Sequence, residues 1–135
     1  MDLLEQLKRD EGLKLKPYVD TVGKITIGYG TNISDGIDQS EAEYLLSNRL
    51  NEKRLELLRL LPWVADLDEV RRAVLFNMAY NVGPQGVMEF KQTLAYIKGG
   101  RWDEAALEML NSKWARQVGA RAERLAMQMR TGEWV

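Results

Sequence analysis

Apolar side chains recur at helical spacing through most of the chain and at strand spacing only near its beginning. A first helix is indicated by a capping aspartate, Asp2, followed by three leucines that share one face: Leu3, Leu4 and Leu7. Gly12 is the type of residue that follows the end of a helix, so we expect this helix to end near Glu11.

Strand spacing occurs in the stretch KITIGYG, residues 24–30. Ile25 and Ile27 fall on one face of the predicted strand, which places Thr26 on the other. Asp20 and Gly23 fit a turn just before it, because aspartate bonds to nearby backbone and glycine accepts positive φ. We therefore predict a small antiparallel β region near the N-terminus and no other sheet.

The rest of the pattern is helical. Asp38 with Glu41 predicts a capped long helix over residues 39–60, which must stop before a proline. Asp68 begins the next helix, which is apolar almost all round from Ala73 to Val82 except at two asparagines, Asn77 and Asn81, and which we expect to be central and buried. Shorter helices are expected over residues 85–90, 92–98, 102–111 and 121–129.

These elements predict the α+β class, mainly helical, with one small sheet. At 135 residues we expect a single domain, 1–135. Within it we expect a small β lobe at about 13–38 and a connecting helix at about 39–60. A helical lobe at about 61–135 would also include the N-terminal helix.

The composition excludes several kinds of catalytic and metal-binding site. The chain has no cysteine and no histidine, which removes thiolate catalysis and the commonest general base and metal ligand. Acid–base chemistry must then use carboxylates, lysine or tyrosine. We expect no metal ion and no cofactor.

Charge and hydropathy limit the partners. The net charge of −1 argues against nucleic acid as a partner. Residues 109–135 carry five basic and two acidic side chains, a local charge of +3, which fits either a solvated helix face or a basic rim facing an anionic polymer. The N-terminus is charged throughout and no apolar run could span a bilayer, so we expect neither a signal peptide nor membrane insertion.

Three side chains around the hairpin could carry chemistry. Glu11 at a helix end is in a setting that disfavours its ionised form, as a general acid requires, while Asp20 beside a turn should stay ionised. Two carboxylates in unlike settings are typical of glycoside hydrolysis, and the Thr26 hydroxyl could hold a water or a sugar oxygen. Taken singly, each has an ordinary alternative: a solvated glutamate, a turn-forming aspartate and a strand threonine.

The spacing of these three residues resembles a known family. Within EGLKLKPYVDTVGKITIGYG, eight residues separate Glu11 from Asp20 and five separate Asp20 from Thr26. This segment resembles the active-site segment of phage-type lysozymes of the T-even kind, the endolysin muramidases. Three further segments resemble later segments of these lysozymes, in the same order: DEVRRAVLFNMAYNVGPQGV, GRWDEAALEMLNSKW and RAERLAMQMRTGEW. The resemblance covers nearly the whole chain and implies a lysozyme-like fold.

The resemblance also implies roles for individual residues. Glu11 would protonate the glycosidic oxygen, Asp20 would activate or steer the attacking water, and Thr26 would hold that water. Arg121 matches an arginine that pairs with the acid. Five further positions match residues that line the substrate cleft: Gly30, Asn32, Tyr80, Asn81 and Thr93.

The implied function is hydrolysis, with inversion, of the β-1,4 bond between N-acetylmuramic acid and N-acetylglucosamine in peptidoglycan, for host cell lysis. We expect a monomer that stays in the host cytoplasm until lysis and then acts on the cell wall in the periplasm. The alternatives are a non-catalytic peptidoglycan-binding module on the same fold and a structural helical interaction domain. The presence of Glu11, Asp20 and Thr26 together disfavours both.

Two other features bear on the structure. Trp102, Trp114 and Trp134 are interpreted as packing anchors, with sugar platforms as the alternative. Between Ile33 and Asp38 the chain has a short loop where longer relatives carry an extra helix and turns, so we expect a trimmed small lobe.

Overall fold

The computed structural model describes Met1–Val135 and contains eight α-helices and one antiparallel sheet of three strands, which confirms the predicted α+β class. In chain order the elements are α1 (Leu3–Glu11), β1 (Lys14–Val19), β2 (Ile25–Gly28), β3 (Thr31–Asn32), α2 (Gln39–Leu60), a 3₁₀ turn (Pro62–Asp66), α3 (Glu69–Val82), α4 (Pro84–Met88), α5 (Lys91–Lys98), α6 (Trp102–Leu110), α7 (Lys113–Val118) and α8 (Ala120–Thr131). The chain forms two compact units: the N-terminal unit, Met1–Leu45, and the helical unit, Leu46–Val135.

Helix α1 begins and ends where its capping residues predict. The Asp2 carboxylate accepts a hydrogen bond from the Glu5 backbone N–H at 2.8 Å. Gly12 follows the helix at φ 74°, a conformation that side-chain-bearing residues rarely adopt. No residue of α1 is buried, including the three leucines of its apolar face.

The sheet has the order β1–β2–β3. Thr26 on the central strand lies opposite Tyr18 of β1 and Asn32 of β3. The register between β1 and β2 shifts between Lys14 and Tyr18. Thr26 is the only buried residue of the N-terminal unit, so this unit is organised around a polar side chain rather than an apolar core.

Helix α2 occupies the predicted residues 39–60. Its start is a reciprocal capping box: the Glu41 N–H donates to the Asp38 carboxylate at 2.8 Å, and the Asp38 N–H donates to the Glu41 carboxylate at 3.0 Å. Hydrogen bonds to the Asp38 carboxylate, first that from the Glu41 N–H and then that from the Ser40 hydroxyl, lower the pKa of Asp38 below its ordinary 3.8. The segment before the cap is a turn and extended chain, without an extra helix, as the short loop predicted.

The apolar core lies in the helical unit. Helix α3 contributes most to it, through Val74, Leu75, Phe76, Met78 and Ala79, so its predicted burial is confirmed. The Asp68 carboxylate caps α3 by accepting from the Arg71 N–H at 3.0 Å, and Gly83 at φ 82° ends it. Helices α5, α6 and α8 supply further buried residues around it.

Two expectations are corrected in this unit. Helix α7 was not predicted, because six residues are too few for a helical repeat, although Ser112 and Gly119 are its cap residues. Trp114 is 4% exposed and belongs to the core, but Trp134 is 64% exposed and is not a core anchor. Trp102 is half-buried, with the Arg71 guanidinium 4.1 Å from its ring centre.

Candidate active site

Asp20 is held in place by the turn that it forms. Its Oδ1 atom accepts hydrogen bonds from the backbone N–H groups of Val22, at 2.9 Å, and Lys24, at 2.8 Å. Gly23, at φ 84°, allows the chain to reverse between them. The second carboxylate oxygen, Oδ2, has no hydrogen-bond partner within the protein. The side chain is therefore fixed through one oxygen and free to act through the other.

The proton of the Thr26 hydroxyl group is already used in a hydrogen bond. Its side chain is 4% exposed, and its Oγ1 atom donates a hydrogen bond to the Lys24 carbonyl at 3.0 Å. A hydroxyl has one proton and two lone pairs, so Thr26 is left to act as an acceptor. Tyr18 of β1 lies opposite Thr26, and the Asp20 N–H continues this pairing by donating to the Lys24 carbonyl. Because side chains alternate along a strand, Asp20 lies on the same face as Tyr18 and Thr26, so Asp20 and Thr26 could both bind the same water.

Asn32 lies directly across from Thr26 in the β2–β3 pair. Its Oδ1 atom accepts from the Ser34 N–H at 2.9 Å, which leaves the amide N–H₂ group free to donate. Ser34 in turn accepts from the Ile25 N–H at 2.7 Å, beyond the end of β3. These bonds fix the strand that carries Asn32, and they place a free donor beside the Thr26 hydroxyl.

Glu11 is exposed at the end of α1, and its side chain lies against the hairpin between β2 and β3. Gly30 is the closest point: a Cβ atom added there would be 2.5 Å from Oε2 of Glu11. One helical turn earlier, the Lys8 ammonium lies 5.8 Å from the centre of the Tyr29 ring. The N-terminal unit therefore contains five of the nine predicted site residues: Glu11, Asp20, Thr26, Gly30 and Asn32.

Arg121, of the helical unit, is fixed by an asparagine. Its Nε and Nη2 atoms donate to the Asn77 side-chain carbonyl at 3.0 Å and 2.7 Å. Asn77 was noted in the sequence as an interruption of an apolar helix, but no role was given to it. The one sequence signal for Asn77 is a polar residue in an otherwise apolar helix, and that signal does not identify its partner.

Arg121 and Tyr80 line the same cavity, of about 550 Å³, within the helical unit. Two other arginines, Arg54 and Arg72, line it, against one carboxylate, that of Glu69. Its apolar surface includes the exposed Trp134 and four further side chains: Leu46, Leu50, Ala73 and Phe76. The cavity is thus a basic and partly aromatic concavity.

The other two predicted binding residues lie elsewhere in the helical unit. Asn81 accepts a hydrogen bond from the Trp114 indole N–H at 2.8 Å, so its carbonyl oxygen supports the core. Thr93 is 3% exposed and lines a second cavity, of about 520 Å³, together with Trp114. Polar side chains dominate the rim of this second cavity, among them Gln92, Glu108, Asn111 and Gln117.

Comparison with known proteins identifies similarity to one family over nearly the whole chain. The profile of the phage lysozyme family matches residues 8–131. Probable T4-type lysozyme 2 of Dictyostelium discoideum is 32% identical over 160 aligned positions, which cover 96% of this chain and 94% of that protein. The pre-baseplate central spike protein Gp5 of Enterobacteria phage T4 is 29% identical over 98% of this chain, but this region is 28% of that protein.

Proposed function

This chain belongs to the phage lysozyme family, and we propose that it hydrolyses the β-1,4 bond between N-acetylmuramic acid and N-acetylglucosamine in peptidoglycan, with inversion. The observation that carries the proposal is the grouping of Glu11, Asp20 and Thr26 in one compact unit, with Asp20 and Thr26 on one face of the sheet. An inverting glycosidase requires one carboxyl group as the acid and a second as the base that activates a water, and the Thr26 hydroxyl could help to hold that water.

Glu11 is the proposed general acid. It is the last residue of α1, and a carboxyl group at this position can act as the proton donor that the reaction requires. Its exposure allows a polymer to reach the carboxyl group. In the proposed reaction its proton passes to the glycosidic oxygen as the bond to the sugar carbon breaks.

Asp20 and Thr26 are the proposed water-binding pair. Oδ2 of Asp20 would accept a hydrogen bond from one O–H of the water and Oγ1 of Thr26 from the other, because the Thr26 proton is already directed to the Lys24 carbonyl. As the water attacks, Asp20 takes one of its protons. The water oxygen then keeps a lone pair for the sugar carbon. Attack by water rather than by Asp20 itself gives inversion at that carbon.

Substrate binding is proposed for the matching positions of both units. In the N-terminal unit, the free amide N–H₂ of Asn32 is a donor for sugar oxygens. In the helical unit, Tyr80 offers an aromatic surface and Thr93 a hydroxyl, while the amide N–H₂ group of Asn81 is free to donate. Arg121, whose guanidinium is held by Asn77, is proposed to keep the supporting role that the family resemblance implies.

Host cell lysis is the proposed role of the reaction. No helix of the chain has the length and apolar character that crossing a bilayer requires. We propose that the protein remains in the host cytoplasm as a monomer until lysis and then reaches the periplasmic wall. The basic side chains of the C-terminal helices would favour contact with that anionic polymer.

The test compares wild type with Glu11→Gln on permeabilised Gram-negative cells and on purified peptidoglycan. We expect turbidity loss and new reducing ends from wild type, and a decrease of about 10²–10⁴-fold in the variant. Glu5→Gln is the matched control, since Glu5 is an exposed carboxylate on the same helix, and it should remain active. Circular dichroism checks that the fold is unchanged.

Two outcomes would overturn the proposal. A Glu11→Gln protein that releases reducing ends at the wild-type rate would remove Glu11 from the mechanism. A wild-type protein that sediments with insoluble peptidoglycan but releases no reducing ends would be a binding module rather than an enzyme.

A further inference from the structure

Gly30 was predicted as a cleft-lining position, and its surroundings indicate a further role. It belongs to residues 28–30, between the paired Ile27 and Thr31, which we call the hairpin tip and which begin with the last residue of β2. A Cβ atom at Gly30 would lie 2.5 Å from Oε2 of Glu11, 3.0 Å from its Cδ and 3.5 Å from its Cβ. The Glu11 side chain therefore fills the space that any other residue at position 30 would need.

We infer that Gly30 is a positioning residue: the absence of its side chain allows the Glu11 carboxyl group to lie against the hairpin tip. This inference rests on the proposed role of Glu11 as the general acid. Since Lys8 and Glu11 are three residues apart, they share one face of α1. That face meets the hairpin tip twice, through Lys8 at Tyr29 and through Glu11 at Gly30.

The contact has a consequence for catalysis that differs from its consequence for folding. The atoms nearest to the added Cβ are the far end of an exposed, flexible side chain. Alanine at position 30 would therefore displace the carboxyl group with little further cost to the fold. Catalytic groups must be held closely, and a displacement of about 1 Å can lower a rate by about 10²-fold.

The hairpin tip also offers a matched control. Gly28 has φ 69° and Gly30 has φ 71°, so alanine is equally strained at the two positions. No atom lies within 4 Å of a Cβ added at Gly28. Gly28→Ala and Gly30→Ala therefore share the positive φ and differ in the contact with Glu11, while Gly28 also pairs with Lys14 of β1.

The first experiment compares the two variants in steady-state hydrolysis of soluble peptidoglycan fragments. We expect both to shift the urea midpoint by a similar amount. Gly30→Ala should lower kcat by about 10²-fold with KM little changed, and Gly28→Ala should keep kcat within about threefold. A raised KM with unchanged kcat would indicate direct substrate binding by Gly30 and would overturn the inference, as would equal loss of kcat in both variants.

The second experiment does not depend on activity. The ¹³C signal of the Glu11 carboxyl group is followed against pH in wild type and both variants, with Glu11→Gln used to assign it. We expect Gly30→Ala alone to change the chemical shift of this carbon. A signal unchanged in Gly30→Ala would overturn the inference even for an active enzyme. If wild type hydrolyses nothing, the proposed function fails while this measurement still tests the contact.

Discussion

The two compact units of the protein are organised by different kinds of interaction. In the N-terminal unit the single buried side chain is polar, that of Thr26, and the geometry is set by turn and cap hydrogen bonds. In the helical unit the buried side chains form one apolar cluster centred on α3. The residues proposed to react with substrate lie in the first unit, and most of the burial that stabilises a fold lies in the second.

This difference indicates how the protein separates stability from chemistry. Polar groups that are already hydrogen-bonded to backbone can be changed isosterically with little effect on folding, whereas buried apolar side chains cannot be truncated without leaving a cavity. Substitutions in the N-terminal unit should therefore change activity, and substitutions in the helical core should change stability.

The largest effect is expected for Asp20→Asn. The Asn side-chain carbonyl can still accept from the Val22 and Lys24 N–H groups, so the turn should survive, but the negative charge that steers water is lost. We expect activity to fall by about 10²–10⁴-fold with the free energy of unfolding changed by less than about 0.5 kcal/mol. Asp35→Asn, in the exposed loop that follows β3, is the control. A large loss of stability in Asp20→Asn would mean that chemistry and stability are not divided between the two units.

The next effect is expected in the core of the helical unit. Leu57 is fully buried and Leu55, on the same helix, is 61% exposed. Leu57→Ala should lower the free energy of unfolding by about 2–5 kcal/mol, because it leaves a cavity, whereas Leu55→Ala should change it by less than about 0.5 kcal/mol. Urea denaturation measures both. Equal effects of the two substitutions would contradict the placement of the core.

A smaller effect is expected at the end of α8. The Arg71 guanidinium is 15% exposed and donates to the carbonyls of Met129, at 2.6 Å, and Arg130, at 3.1 Å. Arg71→Met should lower the free energy of unfolding by about 1–3 kcal/mol, since these carbonyls lose their partner. Arg124→Met, at an exposed position of α8 itself, should lower it less. Equal shifts of the two urea midpoints would contradict this expectation.

The smallest effect is expected at the cap of α2. Because folding lowers the pKa of Asp38, its contribution to stability is present above its ordinary value of 3.8 and is lost as the pH falls through the lower, folded-state value. Asp38→Asn should remove this contribution, so stability should fall less steeply on acidification. Thermal melts between about pH 5 and pH 2 measure the difference. Identical pH profiles would show that the capping bonds do not distinguish the charged form.

Much of the fold could be predicted from the sequence because its signals are local. Capping aspartates, glycines after helices and the repeat of apolar residues gave the bounds of α1, α2 and α3. Helix α7 was missed because its six residues show no repeat, and Trp134 was misjudged because exposure depends on contacts far along the chain.

The candidate site was predictable as a set of residue types but not as a set of contacts. Spacing and family resemblance selected Glu11, Asp20 and Thr26. They could not show that the Thr26 proton is directed to the Lys24 carbonyl, or that Asn77 holds Arg121. These partners are backbone groups or residues distant in sequence, and neither kind leaves a local pattern.

The central claim, that water held by Asp20 and Thr26 attacks the sugar while Glu11 supplies the proton, is tested most directly by the anomeric form of the first product. Proton NMR of the fresh reducing end is recorded during hydrolysis of a β-linked oligosaccharide, before mutarotation. Inversion predicts that the α-anomer appears first. An initial β-anomer, or a glycosyl adduct trapped on Asp20, would contradict the account.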